Sequence, residues 1–215
     1  MLKAVVFDLD GTLIDSASFS VSILSSMLRA RGSTKVISVS SVQKSLSLGG
    51  EALMQDALDA SPEAAAEELK AFRAEYQRLP FPHQQAYPSM VETLGALSAR
   101  GLRLAICTKK PAHLTHKVLE DLGLAKRFEV ISGGDSEPFS KPDPRHLQAV
   151  LSKLQVAPSE ALFVGDSHLD AQLAAAAGVR FVFAAFGYDE GQVKADECFA
   201  VIAQLSELLS VVAAL

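Results

Sequence analysis

Two aspartates, Asp8 and Asp10, end the apolar run in the segment VVFDLDGTLIDS. Residues two apart on a strand point to the same side, although a turn at Gly11 can redirect the second one. An isolated pair of this kind is usually a solvated strand end. If the pair is buried, each carboxylate costs several kcal/mol unless positive charge lies nearby. We therefore expect a cation beside these acids.

Short apolar runs that alternate with longer helical segments place these acids in a fold. The strand candidates are LKAVVFD, LRLAICT, FEVISGG, ALFVGD and RFVFAAFG. This alternation predicts an α/β fold with a Rossmann-like parallel sheet covered by helices. All five runs end in Asp, Thr or Gly, at the edge where open α/β sheets bind ligands. The final segment VIAQLSELLSVVAAL is apolar enough to predict a helix that packs on the core.

Residues 16–85 interrupt the alternation and contain no convincing strand. Apolar residues recur there at helical spacing, which predicts several amphipathic helices. These residues are Phe19, Ile23, Leu24, Met27, Leu28, Leu53, Met54, Ala57, Leu58, Leu69, Phe72 and Tyr76. We expect a helical-bundle domain over 16–85, inserted into a core formed by 1–15 and 86–215. The proline-rich exit RLPFPHQQAYP is typical of a linker.

Charge and composition exclude some classes of function. The net charge is −5 and the pI is near 5.5, so we expect no broad basic surface for nucleic acid. Cys107 and Cys198 form neither a disulfide framework nor a metal-binding pattern. No stretch approaches the roughly 18 consecutive apolar residues of a membrane span. We expect a cytoplasmic protein without a membrane partner.

Four motifs follow one another along the chain, each beside a predicted strand. They are FDLDGTLIDS, the threonine that ends LRLAICT, FSKPDP and VGDSHLD. In this order, and with a helical insertion after the first, they resemble the haloacid dehalogenase-like (HAD) superfamily of phosphatases. The whole pattern, including GGDSEPFSKPDP, is most similar to its phosphoglycolate phosphatase-like members, and the insertion is similar to their helical cap domain.

The resemblance implies a role for each motif. Asp8 is the nucleophile that forms an aspartyl-phosphate, and Asp10 is the acid that protonates the leaving oxygen and later the base toward water. Thr108 binds a phosphoryl oxygen, and Lys141 contacts both nucleophile and phosphate. On residue type alone, a threonine that closes a strand is usually a turn residue, and a lysine before a proline is usually solvated.

The resemblance also implies a Mg²⁺ ion as cofactor, and the residue types agree with a hard cation. Its ligands are the Asp8 carboxylate, the Asp10 backbone carbonyl and Asp166, with Asp170 as an outer-shell or alternative ligand. Asp166 and Asp170 are four apart, so both can face the ion if a helix begins near Ser167. A helix N-cap role for Ser167 or Asp166 is equally compatible with this spacing.

Several further residues are candidates for substrate binding. Near Asp8, the candidates are Gly11 and Thr12, through their backbone amides. Near Thr108, the candidate is Lys109, which stands where the similar phosphoglycolate phosphatase-like members often have Asn. Within the insertion, VQKSLSLGGEAL resembles a specificity loop, and the candidates there are Lys44, Gly49 and Gly50. An exposed helix charge followed by two glycines that separate helices explains the same pattern equally well.

Together these features predict a Mg²⁺-dependent phosphatase that hydrolyses a small phosphomonoester, phosphoglycolate-like or a sugar phosphate. The partner is then a small phosphorylated metabolite, and the oligomeric state is not predicted. A phosphomutase is disfavoured because no histidine closely follows Ser16. A phosphonate hydrolase needs a lysine in the cap, and Lys35, Lys44 and Lys70 are available. A receiver-like phospho-acceptor is a remote alternative, since receivers are much shorter and lack a helical insertion.

Overall fold

The computed structural model of the chain describes residues 1–189 and 191–215, apart from the side chains of Ser47 and Leu48. Those two side chains belong to the predicted specificity loop, so that part of the prediction lies outside the described residues.

The chain forms two compact units. The α/β unit consists of Met1–Ile14 and Ala86–Leu215, and the helical unit consists of Asp15–Gln85. The sequence predicts the helical segment over 16–85. A role of this segment as a cap over the active site stays a prediction.

The α/β unit is built on one parallel sheet. Its strands are β1 (Ala4–Phe7), β2 (Arg103–Cys107), β3 (Val130–Ser132), β4 (Ala161–Gly165), β5 (Arg180–Ala184) and β6 (Ala200–Ile202). Their order in the sheet is β3-β2-β1-β4-β5-β6, and Ala4 of β1 pairs with Arg103 on one side and Ala161 on the other. Chain connections run outward in both directions from β1. The predicted Rossmann-like α/β fold is thus confirmed.

The helical unit contains four helices between β1 and β2. They are α1 (Ala17–Ala30), α2 (Val39–Leu48), α3 (Gly50–Leu58) and α4 (Pro62–Arg78). The α4 helix begins as its sequence predicts, because the Ser61 side chain accepts a hydrogen bond from the Ala64 amide and Pro62 occupies the first turn. Aromatic rings fill the core of this unit: Phe19 lies 4.8 Å from Tyr76 and 5.2 Å from Phe81, centroid to centroid.

The remaining helices cover the sheet or pack beside it. They are α5 (Met90–Ala99), α6 (Ala112–Asp121), α7 (Pro144–Leu154), α8 (His168–Ala177) and α9 (Leu208–Ala213). Inward-facing residues of four strands form one buried cluster with α7 and α8, which includes Val6, Phe163, Leu147 and Leu173. The strand β1 is buried along its whole length, which explains why it reads as a continuous apolar run.

The end of the chain differs from the prediction. Instead of one helix, the segment begins with β6, continues through a short turn of 3₁₀ helix and ends in α9. Ala200 and Ile202 pair with Val182 and Ala184 of β5. Here the first residues of the apolar run pair with the open edge of the sheet instead of forming a helix. The sequence pattern did not predict this, because it carries no information about a neighbouring strand. Among the described helices none is long and apolar enough to span a bilayer.

Candidate active site

The predicted catalytic residues follow the carboxyl ends of adjacent strands. Asp8 follows β1, Thr108 follows β2 and Asp166 follows β4, while Lys141 lies in the loop between β3 and α7. Since β1 lies between β2 and β4, Asp8 stands in the middle of the group. Connections turn in opposite directions on the two sides of β1, and such a switch point is where open α/β sheets bind ligands.

Asp8 is held by groups from three segments. Its Oδ1 accepts a hydrogen bond from the Leu9 amide at 2.7 Å and lies 3.0 Å from the Lys141 ammonium. The Thr108 side chain also donates a hydrogen bond to it. Burial raises the pKa of Asp8 to about 6, although Lys141 acts in the opposite direction. The carboxylate is therefore fixed in orientation and poorly hydrated.

Lys141 is a buried cation with two acidic partners. Its ammonium lies 2.6 Å from Asp170 Oδ1 and 3.0 Å from Asp8 Oδ1, and its side chain is 1% exposed. Burial alone would lower the pKa of Lys141, but the charges of Asp170 and Asp8 outweigh it and the pKa is raised. Lys141 is thus not the solvated lysine that the Lys-Pro sequence suggests by itself.

Asp170 lies in the first turn of α8, where it caps the helix and contacts Lys141. Its Oδ2 accepts hydrogen bonds from the Ser167 amide at 3.0 Å and from the Ser167 hydroxyl at 2.7 Å, and the Ser167 hydroxyl in turn accepts from the Asp170 amide. This reciprocal pair is a capping box, with Ser167 as the N-cap. Its Oδ1 contacts Lys141. Both carboxylate oxygens of Asp170 are therefore engaged by this chain.

Asp166 is the least compensated acid of the group. It accepts hydrogen bonds from the Thr12 hydroxyl at 3.2 Å and the Tyr188 amide at 2.8 Å. Burial, together with the charges of Asp170 and Asp8, raises the pKa of Asp166 well above its usual range. Both hydrogen-bond donors are neutral groups, so they do not offset the loss of hydration that burial causes.

The three acids meet a geometric test for a cation. Asp8, Asp166 and Asp170 each offer a carboxylate oxygen, and these oxygens all lie within 4.8 Å of one another. The arrangement sets two buried carboxylates and the partly exposed carboxylate of Asp8 against one Lys141 ammonium. Oxygen is the donor that Mg²⁺ and similar hard cations prefer. The group therefore fits a metal ion. His168 is not part of it; its Nε2 lies 2.7 Å from the side-chain amide of Gln172.

The turn after β1 brings Gly11 against Asp166. Gly11 has φ = +79°, and a Cβ on it would collide with the Asp166 carboxylate, so only glycine suits this position. Its amide donates to the Ile14 carbonyl at 2.8 Å. The structure thus gives Gly11 and Thr12 contacts inside the acidic group, and their binding of substrate stays a prediction.

Asp10 has a partner that the sequence analysis did not select. The Lys110 ammonium lies 2.9 Å from each oxygen of the Asp10 carboxylate, and the Lys110 side chain is 7% exposed. Lys109, the residue chosen from the sequence, is exposed. Partial desolvation and the charge of Lys141 lower the pKa of Lys109. Adjacent lysines in a turn point in different directions, and residue type alone does not tell which one faces inward.

The predicted substrate residues of the helical unit lie on and after α2. Lys44 is exposed on α2. Gly49 separates α2 from α3 with φ = +121°, and Gly50 begins α3 so close to Leu69 that a Cβ would lie 2.7 Å from Leu69 Cδ1. Both glycines thus have structural reasons for their identity, and a contact of Lys44, Gly49 or Gly50 with substrate stays a prediction.

Comparison with known proteins agrees with this geometry. Residues 5–184 match the family "Haloacid dehalogenase-like hydrolase". A phosphoglycolate phosphatase of Rhodospirillum rubrum is 36% identical, over 97% of this chain and 90% of its own length. Phosphoglycolate phosphatase 1 of Pseudomonas aeruginosa is 35% identical, over 96% of this chain and 78% of its own length.

The fold has a solved counterpart of similar size. A crystal structure described as that of a predicted phosphoglycolate phosphatase from Haemophilus somnus superposes with a TM-score of 0.84 at 27% identity, covering 98% of each chain. The protein belongs to the haloacid dehalogenase-like hydrolase family. The predictions of this family and of an enzyme of the phosphatase class are confirmed.

Proposed function

We propose that the protein is a Mg²⁺-dependent phosphomonoesterase that transfers the phosphoryl group of a small ester to Asp8 and then to water. The observation that carries this proposal is the joint placement of Asp8, Lys141 and the three-acid group at the switch point of the sheet. A nucleophile beside a cation and a metal-binding group is what phosphoryl transfer requires, because attack on a phosphate ester brings negative charges together.

In the first step a carboxylate oxygen of Asp8 attacks phosphorus and the bond between phosphorus and the ester oxygen breaks. Lys141 and the Leu9 amide hold the Asp8 carboxylate in one orientation. Such positioning removes much of the entropic part of the barrier. We also assign to Thr108, whose side chain contacts Asp8, a hydrogen bond to a phosphoryl oxygen.

We assign the proton transfers to Asp10. It donates a proton to the ester oxygen as the alcohol leaves, and it takes a proton from the water that attacks the aspartyl-phosphate, whose bond to Asp8 then breaks. One residue serves both steps because the alcohol oxygen and the incoming water occupy the same side of the phosphorus.

The residues that would hold the metal ion are Asp8, Asp166 and the backbone carbonyl of Asp10. When bound, Mg²⁺ supplies positive charge that offsets the repulsion between the phosphate and the carboxylates. Because Ser167 and Lys141 engage both oxygens of Asp170, we propose that Asp170 orients Lys141 and contacts the ion only through water.

The substrate class that we favour is a small phosphorylated acid, with phosphoglycolate as the leading example. The names of the relatives at 35–36% identity support it. The same core chemistry applies to a sugar phosphate, since the described acids and lysines act on the phosphate. We also propose a cytoplasmic location.

The decisive experiment measures phosphate release from p-nitrophenyl phosphate and 2-phosphoglycolate. We expect activity with Mg²⁺, its loss in EDTA and its recovery when Mg²⁺ is restored. Asp8→Asn should lower kcat roughly 10³-fold or more, because the amide is not a nucleophile. Asp196→Asn, an exposed acid of the α/β unit, is the control and should keep wild-type activity. Full turnover in EDTA, or by Asp8→Asn, would contradict the mechanism.

A further inference from the structure

Lys110 is a largely buried lysine, with a side chain 7% exposed, that the proposed chemistry does not use. Its ammonium is 2.9 Å from both oxygens of Asp10, in a two-pronged contact. Lys141, the other buried lysine of the site, is already held between Asp8 and Asp170. A second anionic group on a substrate therefore needs another cation, and Lys110 is the inward-facing candidate.

The position of Lys110 is fixed by tight backbone packing. The Gly134 amide donates to the Lys110 carbonyl at 2.9 Å, and a Cβ on Gly134 would collide with the Lys109 carbonyl. The Ala112 amide donates to Asp135 Oδ1 at 2.6 Å, which secures the start of α6 directly after this turn. The turn 109–111 is therefore held from both sides. A side chain on such a turn has a defined reach, which is what selective recognition needs.

Under the proposed function, Asp10 faces the ester oxygen that leaves. An ammonium that binds the Asp10 carboxylate consequently lies near the first atoms of the alcohol. A carboxylate carried one carbon from the ester oxygen would then be the anion nearest to Lys110, whose ammonium already donates to the carboxylate of Asp10. An alcohol without such a group offers the Lys110 ammonium no second anion.

We infer that Lys110 is a specificity-determining residue that selects phosphomonoesters whose alcohol carries a carboxylate next to the ester oxygen. The inference rests on the proposed function and deepens it, because it assigns recognition of the second anion to one residue of the α/β unit. Hydrogen bonds to charged groups in sites of this kind discriminate by roughly 10- to 100-fold.

The test compares 2-phosphoglycolate with ethyl phosphate, which keeps the ester and the two-carbon alcohol but lacks the carboxylate. Wild type should prefer 2-phosphoglycolate in kcat/KM. Lys110→Met should reduce that preference roughly 10- to 100-fold. Lys110→Arg, which keeps the positive charge, should keep most of the preference. Lys153→Met changes an exposed lysine that pairs with Glu137 and controls for loss of surface charge.

A second measurement does not depend on turnover of either ester. Glycolate should inhibit p-nitrophenyl phosphate hydrolysis by wild type and by Lys153→Met, and should inhibit Lys110→Met and Lys110→Gln much less. Circular dichroism and urea unfolding check that the variants are folded. If no variant folds, two measurements on wild type still test the inference: its preference for 2-phosphoglycolate over ethyl phosphate, and the inhibition of its activity by glycolate. Absence of either one overturns the inference.

Other outcomes separate the two proposals. An equal loss on both esters in Lys110→Met shows that Lys110 acts only through Asp10, and an unchanged preference shows that it takes no part; each overturns the inference. If wild type hydrolyses p-nitrophenyl phosphate with Mg²⁺ but does not prefer the carboxylate ester, the inference fails and the phosphatase stands. If wild type hydrolyses no ester, the proposed function itself fails.

Discussion

Both units have an apolar core, but they differ in the charged groups that they bury. In the α/β unit the buried polar residues include Lys141, Asp166 and Asp170, each at most 4% exposed. In the described part of the helical unit the buried polar residues are serines, namely Ser16, Ser20 and Ser45. The core of the helical unit consists instead of packed aromatic and aliphatic groups. Phe72 and Tyr76, for example, lie 5.9 Å apart, ring to ring.

This difference shows which unit contains residues that lower the free energy of unfolding but belong to the candidate active site. Buried carboxylates that are short of positive charge oppose folding, and the raised pKa values of Asp8 and Asp166 are the sign of that penalty. Buried aromatic rings favour folding by removal of apolar surface from water. Neutralisation of a buried acid in the α/β unit and truncation of a buried ring in the helical unit should therefore change the free energy of unfolding in opposite directions.

The largest change is expected in the aromatic core of the helical unit. Phe81 is 2% exposed and its ring contacts those of Phe19 and Tyr76. Phe81→Ala should lower the free energy of unfolding by about 3–5 kcal/mol, from lost burial and the cavity left behind. Urea unfolding measures this, with the exposed Lys70→Ala as control. A loss below about 1 kcal/mol would show that this core is loosely packed.

A smaller loss of stability is expected at two adjacent glycines of the helical unit, where one substitution tests backbone strain and the other tests crowding. Gly49 has φ = +121° and open space around its Cα, so Gly49→Ala should destabilise by about 1–3 kcal/mol through its backbone alone. Gly50→Ala meets the end of the flexible Leu69 side chain instead, and helix propensity offsets part of that contact, so we expect a loss below about 1 kcal/mol. Thermal denaturation of both variants measures which of them loses more stability. If Gly50→Ala loses more stability than Gly49→Ala, packing against Leu69 limits these positions more than the backbone conformation does.

The smallest expected change has the opposite sign and lies in the α/β unit. In EDTA at neutral pH, Asp166→Asn should raise the melting temperature by about 2–4 °C, equivalent to about 1 kcal/mol, because it removes an ionised group whose burial is unfavourable. A raised pKa means that wild type takes up a proton as the pH falls and becomes more stable. The advantage of the variant should therefore shrink toward acidic pH.

The melting temperatures of the same proteins in Mg²⁺ provide a second test of Asp166. Mg²⁺ should raise the melting temperature of wild type by binding the folded state, and should leave Asp166→Asn nearly unchanged. Asp196→Asn should behave as wild type in both buffers. If Asp166→Asn is less stable than wild type in EDTA at neutral pH, the charge of Asp166 is better compensated than its surroundings indicate.

The sequence predicts the sheet well where strands are buried on both faces. The runs in β1, β2, β4 and β5 are apolar apart from an arginine at the start of β2 and of β5, so their type is visible. Asp8, Thr108 and Asp166 follow β1, β2 and β4, which makes the functional ends of these three strands visible as well. At β6, an edge strand of three residues, the same apolar signal continues into a helix, and only pairing with β5 distinguishes the two. A sequence pattern records periodicity and not the presence of a neighbour.

The candidate site shows the same limit at the level of single residues. Asp8, Asp166 and Lys141 were predicted because acids and a lysine at those spacings resemble a known family. The Tyr188 amide, which binds Asp166, leaves no trace in residue type because any residue except proline supplies it. Lys110 was visible as a lysine, but its orientation depends on the packing of Gly134 against the turn.

The backbone contacts at the root of the insertion have a consequence for the order of folding. Residues 8–102 separate β1 from β2, so their pairing must close a long loop, and contacts so distant in sequence slow folding. The Asp15 amide donates to the Gln85 carbonyl at 2.7 Å, which joins the two ends of the helical unit. If the helices form first, they bring these ends together and shorten the loop. The inserted helices would then act as an internal folding aid for the sheet that they interrupt.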